Sequence, residues 1–225
     1  MKETASRLLR VAKILESRGV KKPDICRALA ELIPYSPRHI ERLLPNEYKH
    51  VEFKPFKPKP LPEGVFDVIY ADPPWKYEVD YLVCSPSQHY QTMSTEAICK
   101  IHVPSAEDAV LFLWSTNPML EDALQVMKAW GFKYKSNMVW VKNKSGVGFF
   151  FRGQHELLLV GVKGKIGPPE EHARFPSVLF ADVREHSEKP DEVYSIIEKM
   201  YPGKKYLELF ARKRREGWVS WGLEV

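Results

Sequence analysis

The sequence predicts an α/β fold: a mostly parallel sheet with helices on both faces, preceded by a small helical segment. Three observations carry this. From residue 65 onward, short apolar runs rich in β-branched residues alternate with helix-period segments, the signature of strands joined by crossover helices. The first of these runs, Val65-Phe66-Asp67-Val68-Ile69-Tyr70-Ala71, is apolar almost throughout, as a strand buried on both faces must be. Ahead of it, the stretch from Lys54 to Pro62 alternates proline with lysine and aromatic residues, which favours an extended chain and cannot sit inside a sheet. The expected organisation is therefore a helical segment over 1–50, a linker over 51–63 and an α/β domain over 64–225.

The N-terminal segment opens with a helix from Thr4 to Arg18, whose Leu8, Leu9, Ala12 and Leu15 share one face, and Gly19 is its stop. Asp24 reads as the N-cap of a second helix over 25–32. Ser36-Pro37 gives an N-cap followed by proline at the first helical position of a third, over 38–44. Two short helices joined by a tight turn, the second presenting Arg38, His39 and Arg42, resemble a helix-turn-helix. A small bundle that docks on the main domain or mediates dimerisation is the alternative. Charge favours the first. Residues 1–60 hold 14 Lys and Arg against 7 Asp and Glu, whereas the rest of the chain holds 20 against 22. The whole positive excess thus lies in the N-terminal quarter, as in a polyanion-binding element.

In the α/β region the strands are expected at 109–115, 138–141, 157–162, 206–210 and 218–221, with helices from Met119 to Trp130 and Asp191 to Met200. The 225 residues suffice for one such domain plus the appendage. No apolar stretch is long enough to span a bilayer and no N-terminal hydrophobic region reads as a signal peptide. Cys26, Cys84 and Cys99 form neither a disulfide framework nor a zinc motif, and the histidines show no metal-ligand spacing. These features point to a cytoplasmic protein, nucleoid-associated in a prokaryote, with no membrane and no metal, as a monomer or a homodimer.

Asp72-Pro73-Pro74-Trp75 closes the first strand, where open α/β sheets place their active sites. The prolines stiffen the turn and withhold N–H donors, leaving carbonyls as acceptors. A carboxylate beside free carbonyls suits an exocyclic amino group with two N–H bonds to donate. An indole offers a flat face to a base. Together these groups fit methyl transfer to a nucleobase amino group. The competing reading is a rigid turn with a core aromatic.

From Phe66 onward the chain resembles the adenine-N6 methyltransferase family typified by the catalytic subunit of the eukaryotic mRNA methyltransferase. The signatures are Ala71-Asp72-Pro73-Pro74-Trp75, Tyr90-Gln91-Thr92-Met93-Ser94, Leu111-Phe112-Leu113-Trp114, Val139-Trp140-Val141-Lys142, the run from His155 to Gly164, the run from Ser187 to Glu192, and Leu207-Glu208-Leu209-Phe210-Ala211-Arg212. The resemblance implies a Rossmann-like fold of the class I S-adenosylmethionine-dependent methyltransferases, permuted so that the catalytic strand comes early and the cofactor strand late. That order accounts for the lack of a glycine loop before Asp72. It implies S-adenosylmethionine as cofactor, with Asp72, Lys189, Glu208, Leu209, Phe210, Arg212 and Glu224 in its pocket. It also implies a catalytic role for Asp72, Pro73, Pro74 and Trp75. Trp75, Tyr90, Lys142 and Glu156 then fall on the nucleic-acid side, with Arg38 and Arg42 in the helical segment. The chain departs from the family in having Leu223 where Asn is usual, and Arg214-Arg215 where the eukaryotic member has His-Asn.

The resulting expectation is an N6-adenine methyltransferase acting on nucleic acid, DNA ahead of RNA. A non-catalytic nucleic-acid-binding partner subunit and a cytosine-N4 methyltransferase stand behind it.

Overall fold

The computed structural model describes residues 2–20, 25, 29, 60–76, 92–146, 150–184, 188–222 and 225. The second and third helices expected in the N-terminal segment, with Arg38 and Arg42, lie outside these apart from Ile25 and Leu29, and so does most of the expected linker. By their contacts the residues divide into two units, 1–56 with 74–93 and 57–73 with 94–225.

In the first unit, α1 (Lys2–Ser17) is amphipathic. Leu8 and Ala12 lie one turn apart on the same face and are buried with Ile25 and Leu29, while Leu9, Leu15 and Val20 pack around them. Gly19 ends the helix at a φ of 86°, a left-handed value that costs glycine little.

The second unit is a seven-stranded sheet in the order β5-β3-β4-β2-β1-β6-β7. Its strands are β1 (Phe66–Ala71), β2 (Ser105–Ser115), β3 (Lys133–Val141), β4 (His155–Lys163), β5 (Val178–Phe180), β6 (Tyr206–Leu209) and β7 (Trp218–Trp221). Neighbouring strands run parallel except at β4, which is antiparallel to both β2 and β3. The sheet is thus mostly parallel, and the one reversal was not foreseen. A buried apolar run reads the same whichever way it is threaded.

Side chains alternate between two covered faces, as strand geometry requires. Val68, Tyr70, Val110, Phe112, Trp114, Met138, Trp140 and Leu158 form one core cluster with Val193 and Ile197 of the helix Glu192–Met200. The intervening Ile69, Ala71, Leu111, Leu113 and Leu159 are equally buried. The helix Leu120–Ala129 packs on β2 and β3, and its Met127 fills the space that a side chain at Gly161 of β4 would need. Two elements had no counterpart in the sequence reading. The helix Thr95–Cys99 is capped by Ser94, whose Oγ accepts from the Ala97 N–H, and β5 is only three residues long. Both are too short for periodicity to reveal. Strand β6 ends at Leu209 rather than Phe210, because Phe210 turns out of the sheet at a φ of 65°.

Trp114 ties the first core together. Its Nε1 donates to the Tyr70 hydroxyl at 2.6 Å in a fully buried setting, and its ring meets Trp140 edge-on at 6.0 Å. Replacing Trp114 by Phe keeps an aromatic ring but leaves the Tyr70 oxygen without its donor. Denaturant titration of W114F should show a loss of about 1–3 kcal/mol, the cost of stranding a buried polar group. An unchanged midpoint would deny that bond any structural weight.

Candidate active site

The site begins with strand register. Ala71, last in β1, pairs with Leu209, last in β6, so Asp72 and Phe210 leave the sheet side by side. The chain moves from β1 to β2 on one flank and returns to β6 on the other. Asp72 therefore stands at the topological switch point, where open α/β sheets form their ligand crevice. The reversal of β4 adds to this edge. Its first residues, His155 and Glu156, pair with Val141 and Trp140 at the end of β3, so Glu156 and Lys142 arrive on the same side.

Four charges meet there. The Lys189 Nζ lies 2.6 Å from Asp72 Oδ2 and 3.5 Å from Glu156 Oε2, while Lys142 Nζ lies 2.5 Å from Glu156 Oε1. The side chains are partly buried, from 12% exposure at Lys189 and Glu156 to 29% at Asp72. Both ammoniums also lie over indoles, Lys189 at 5.6 Å from the Trp114 ring centre and Lys142 at 4.8 Å from that of Trp140. Burial raises the Asp72 carboxyl above its ordinary range, against the pull of Lys189. Glu156 is held below its range: burial works the other way, but Lys189 and Lys142 together outweigh it.

A second buried carboxylate sits one strand away. Glu208 of β6 is 8% exposed, and its Oε1 accepts from the Tyr194 hydroxyl at 2.8 Å. Its Oε2 has no hydrogen-bond partner, and neither has the buried Oγ of Ser220, the register partner of Glu208 on β7. Burial pushes the Glu208 carboxyl up to about 7. Beyond β6 the chain reaches β7 through residues 210–217. The two ends of this connection are locked together, since the Ala211 N–H donates to the Trp221 carbonyl at 2.9 Å. A Cβ at Gly222 would fall 2.1 Å from the Ala211 carbonyl oxygen, so this close approach admits only glycine. Phe210 packs edge-on to Trp221 at 5.6 Å, and Arg212 is exposed.

The remaining candidates are placed as follows. Leu209 is fully buried, so only its backbone borders the edge. Pro73 is buried, and its carbonyl accepts no hydrogen bond from a described residue. The Pro74 carbonyl is taken by the Met93 N–H at 2.8 Å, and Trp75, which bridges to Met93, is only 5% exposed. The indole expected to offer its face is thus largely covered. Tyr90, Leu223 and Glu224 lie outside the described residues, as do Arg38 and Arg42. Sequence reading missed Tyr194 and Ser220. The sequence reading gave the helix that carries Tyr194 and the strand that carries Ser220, but nothing in the residue string pairs either with Glu208.

Residues 66–224 match the family model described as MT-A70. The chain belongs to the MT-A70 family. It is 36% identical to the type II methyltransferase M.MunI of Mycoplasma sp over 186 residues, 73% of this chain and 80% of that protein. It is 34% identical to an N(6)-adenosine-methyltransferase MT-A70-like protein of Arabidopsis thaliana and 31% identical to the human N(6)-adenosine-methyltransferase catalytic subunit METTL3. Both alignments take in 72% of this chain but only 24% and 28% of those longer proteins. This MT-A70 chain is a methyltransferase, and membership implies S-adenosylmethionine as the methyl donor.

Glu208 supplies a pH signature. Its folded-state pKa exceeds its ordinary value, so the folded protein holds the proton more tightly than the unfolded chain, and stability falls as pH rises from about 4.5 to about 7. The loss should be on the order of 3 kcal/mol. Glu208→Gln should flatten that slope and make the protein more stable than wild type at pH 8, as thermal denaturation across pH would show. A slope that persists in the variant would assign it to another group.

Proposed function

We propose that this MT-A70 methyltransferase acts on the N6 amino group of adenine in DNA, with Asp72 as the residue that touches the reacting nitrogen. The reading rests on the Asp72 carboxylate, held at the switch point by Lys189 and followed by a Pro73 carbonyl that accepts no hydrogen bond among the described residues.

The obstacle in this reaction is the nucleophile, because the N6 lone pair is delocalised into the adenine ring. Asp72 and the Pro73 carbonyl accept one N–H each, which draws the nitrogen toward tetrahedral geometry and frees its lone pair. S-adenosylmethionine, when bound, supplies an electrophilic methyl with a neutral leaving group. As the N6–methyl bond forms, positive charge grows on the nitrogen and is stabilised by the Asp72 carboxylate. The surplus N6 proton then leaves to Asp72 or to water. A carboxyl raised by burial is the stronger base for that step.

The residues fit the cofactor chemically. The unpartnered Glu208 Oε2 and Ser220 Oγ are acceptors for its ammonium and hydroxyl groups, and Arg212 is a cation for its carboxylate. Leu209 and Phe210 bound the pocket, with Glu224 beyond Gly222. Lys189 holds Asp72 and borders the same pocket. Lys142 and Glu156 brace Lys189 on the nucleic-acid side, and Tyr90 is a further base-contacting residue that the family resemblance implies. With its indole covered, Trp75 serves to fix the turn. The target adenine must be unpaired or flipped out to reach Asp72.

DNA is favoured by the basic excess of residues 1–60, with Arg38 and Arg42 on the helix-turn-helix-like segment, and by likeness to M.MunI over most of its length. The second reading, RNA, is favoured by the N(6)-adenosine-methyltransferase relatives. The protein would act inside the cell, on nucleoid DNA in a prokaryote.

Incubation with methyl-tritiated cofactor and pools of DNA or RNA, followed by nucleoside digestion, should place the label on N6-methyldeoxyadenosine. Label on cytosine would overturn the base assignment, and label in RNA alone would select the second reading. Asp72→Ala should reduce the saturated rate about a hundred- to a thousand-fold while cofactor affinity changes little. A variant within tenfold of wild type would remove Asp72 from the chemistry.

A further inference from the structure

Strands β3 and β4 do not end their pairing where the sheet ends. The Lys142 N–H donates to the Gln154 carbonyl at 2.8 Å, and the Gln154 side-chain amide returns a bond to the Lys142 carbonyl at 3.0 Å. Further out, the Gly146 N–H donates to the Gly153 carbonyl at 2.7 Å. The hairpin is therefore drawn past the sheet on the Asp72 side, and it carries Phe150 and Phe151 at 97% and 89% exposure. No other large apolar side chain among the described residues is so exposed. Two adjacent bare rings beside an active-site edge need an occupant.

Charge says which. From Lys142 to His155 the chain holds Lys142, Lys144 and Arg152 and not one Asp or Glu, although residues 61–225 as a whole are slightly acidic. Lys144 and Arg152 are exposed. Flat rings interleaved with cations are the makings of a single-strand binding surface, in which bases stack on the rings and phosphates meet the cations. A protein partner would have no need of this isolated basic stretch.

We propose that Phe150 and Phe151 form a stacking face for unpaired bases flanking the target nucleotide, with Lys144 and Arg152 on the adjoining phosphates. This rests on the reading of the site as one that acts on nucleic acid. The paired ladder at its base aims the hairpin at strand segments next to the residue held at Asp72, so the hairpin selects a locally unpaired substrate over an intact duplex.

The test uses the full-length protein and a single-stranded oligodeoxynucleotide with 2-aminopurine on either side of each adenine. Wild type should quench the 2-aminopurine on binding, as stacking on an aromatic ring does. The F150A/F151A double variant should lose most of that quench and bind about tenfold or more weakly. Its cofactor affinity by calorimetry should be unchanged, and KM for the oligonucleotide should rise more than kcat falls. F150W/F151W should restore both quench and affinity, which a loss of mere bulk structure would not allow. Quench and affinity within twofold of wild type in the alanine variant would overturn the proposal. So would unchanged oligonucleotide binding with dissociation of an oligomer, which would make the hairpin a contact between protein copies. If wild type quenches and binds but labels no adenine, the functional reading fails while the stacking face stands.

Discussion

A single ammonium, that of Lys189, stands between two partly buried carboxylates delivered by strands that run in opposite directions. Asp72 follows the C-terminal end of β1 and Glu156 opens β4, and both reach the same sheet edge only because β4 is reversed. Unneutralised, the two would repel in a partly buried setting where water screens them only weakly. Lys189 is seated on the face of Trp114, and Trp114 is fixed in turn by Tyr70 and Trp140. The charge network is thus mounted on the buried aromatic cluster of the core. Lys142 completes it by taking the other oxygen of Glu156, so the four formal charges balance.

The balance matters chemically because the opposing influences on Asp72 are both needed. Burial alone would protonate the carboxylate and spend its acceptor capacity, and full neutralisation in water would make it a feeble base. Burial together with one ammonium leaves an acceptor of raised basicity, the property that the proposed reaction at an amino nitrogen calls for. Glu156, paired with Lys189 and Lys142, is held below the usual carboxylate range. On the neighbouring strands, Glu208 Oε2 and Ser220 Oγ are buried with no hydrogen-bond partner among the described residues, and the close approach of Ala211 and Gly222 fixes the loop ends beside them.

Much of this architecture was legible in the residue string. The apolar run ending at Ala71 announced β1 and the place of Asp72, and the helix Glu192–Met200 was foreseen to within a residue. The direction of β4 was not legible, because the apolar run Leu157 to Val162 carries no sense of direction. Glu156 was placed on the nucleic-acid side by the family resemblance alone, and only register decided its neighbours. Trp75 read as an open stacking face because its place after two prolines says nothing of what covers it. Trp114 read as a strand residue inside a family signature and not as a platform for a cation, since that requires Lys189, distant in sequence, to return over it. The short β5 and the helix Thr95–Cys99 fell below the length at which a pattern can be told from chance.

Lys189 opposes the burial that raises the Asp72 carboxyl, and the most direct measurement of that opposition is a carboxyl-carbon NMR titration of Asp72 in wild type, Lys189→Met and Glu156→Gln. Wild type should titrate above the ordinary aspartate range. The Lys189→Met signal should move higher still, because the cation that opposes burial is gone, and the Glu156→Gln signal should move lower, because a like charge is gone. An Asp72 titration unmoved by Lys189→Met would contradict the account, leaving the pair as proximity without coupling.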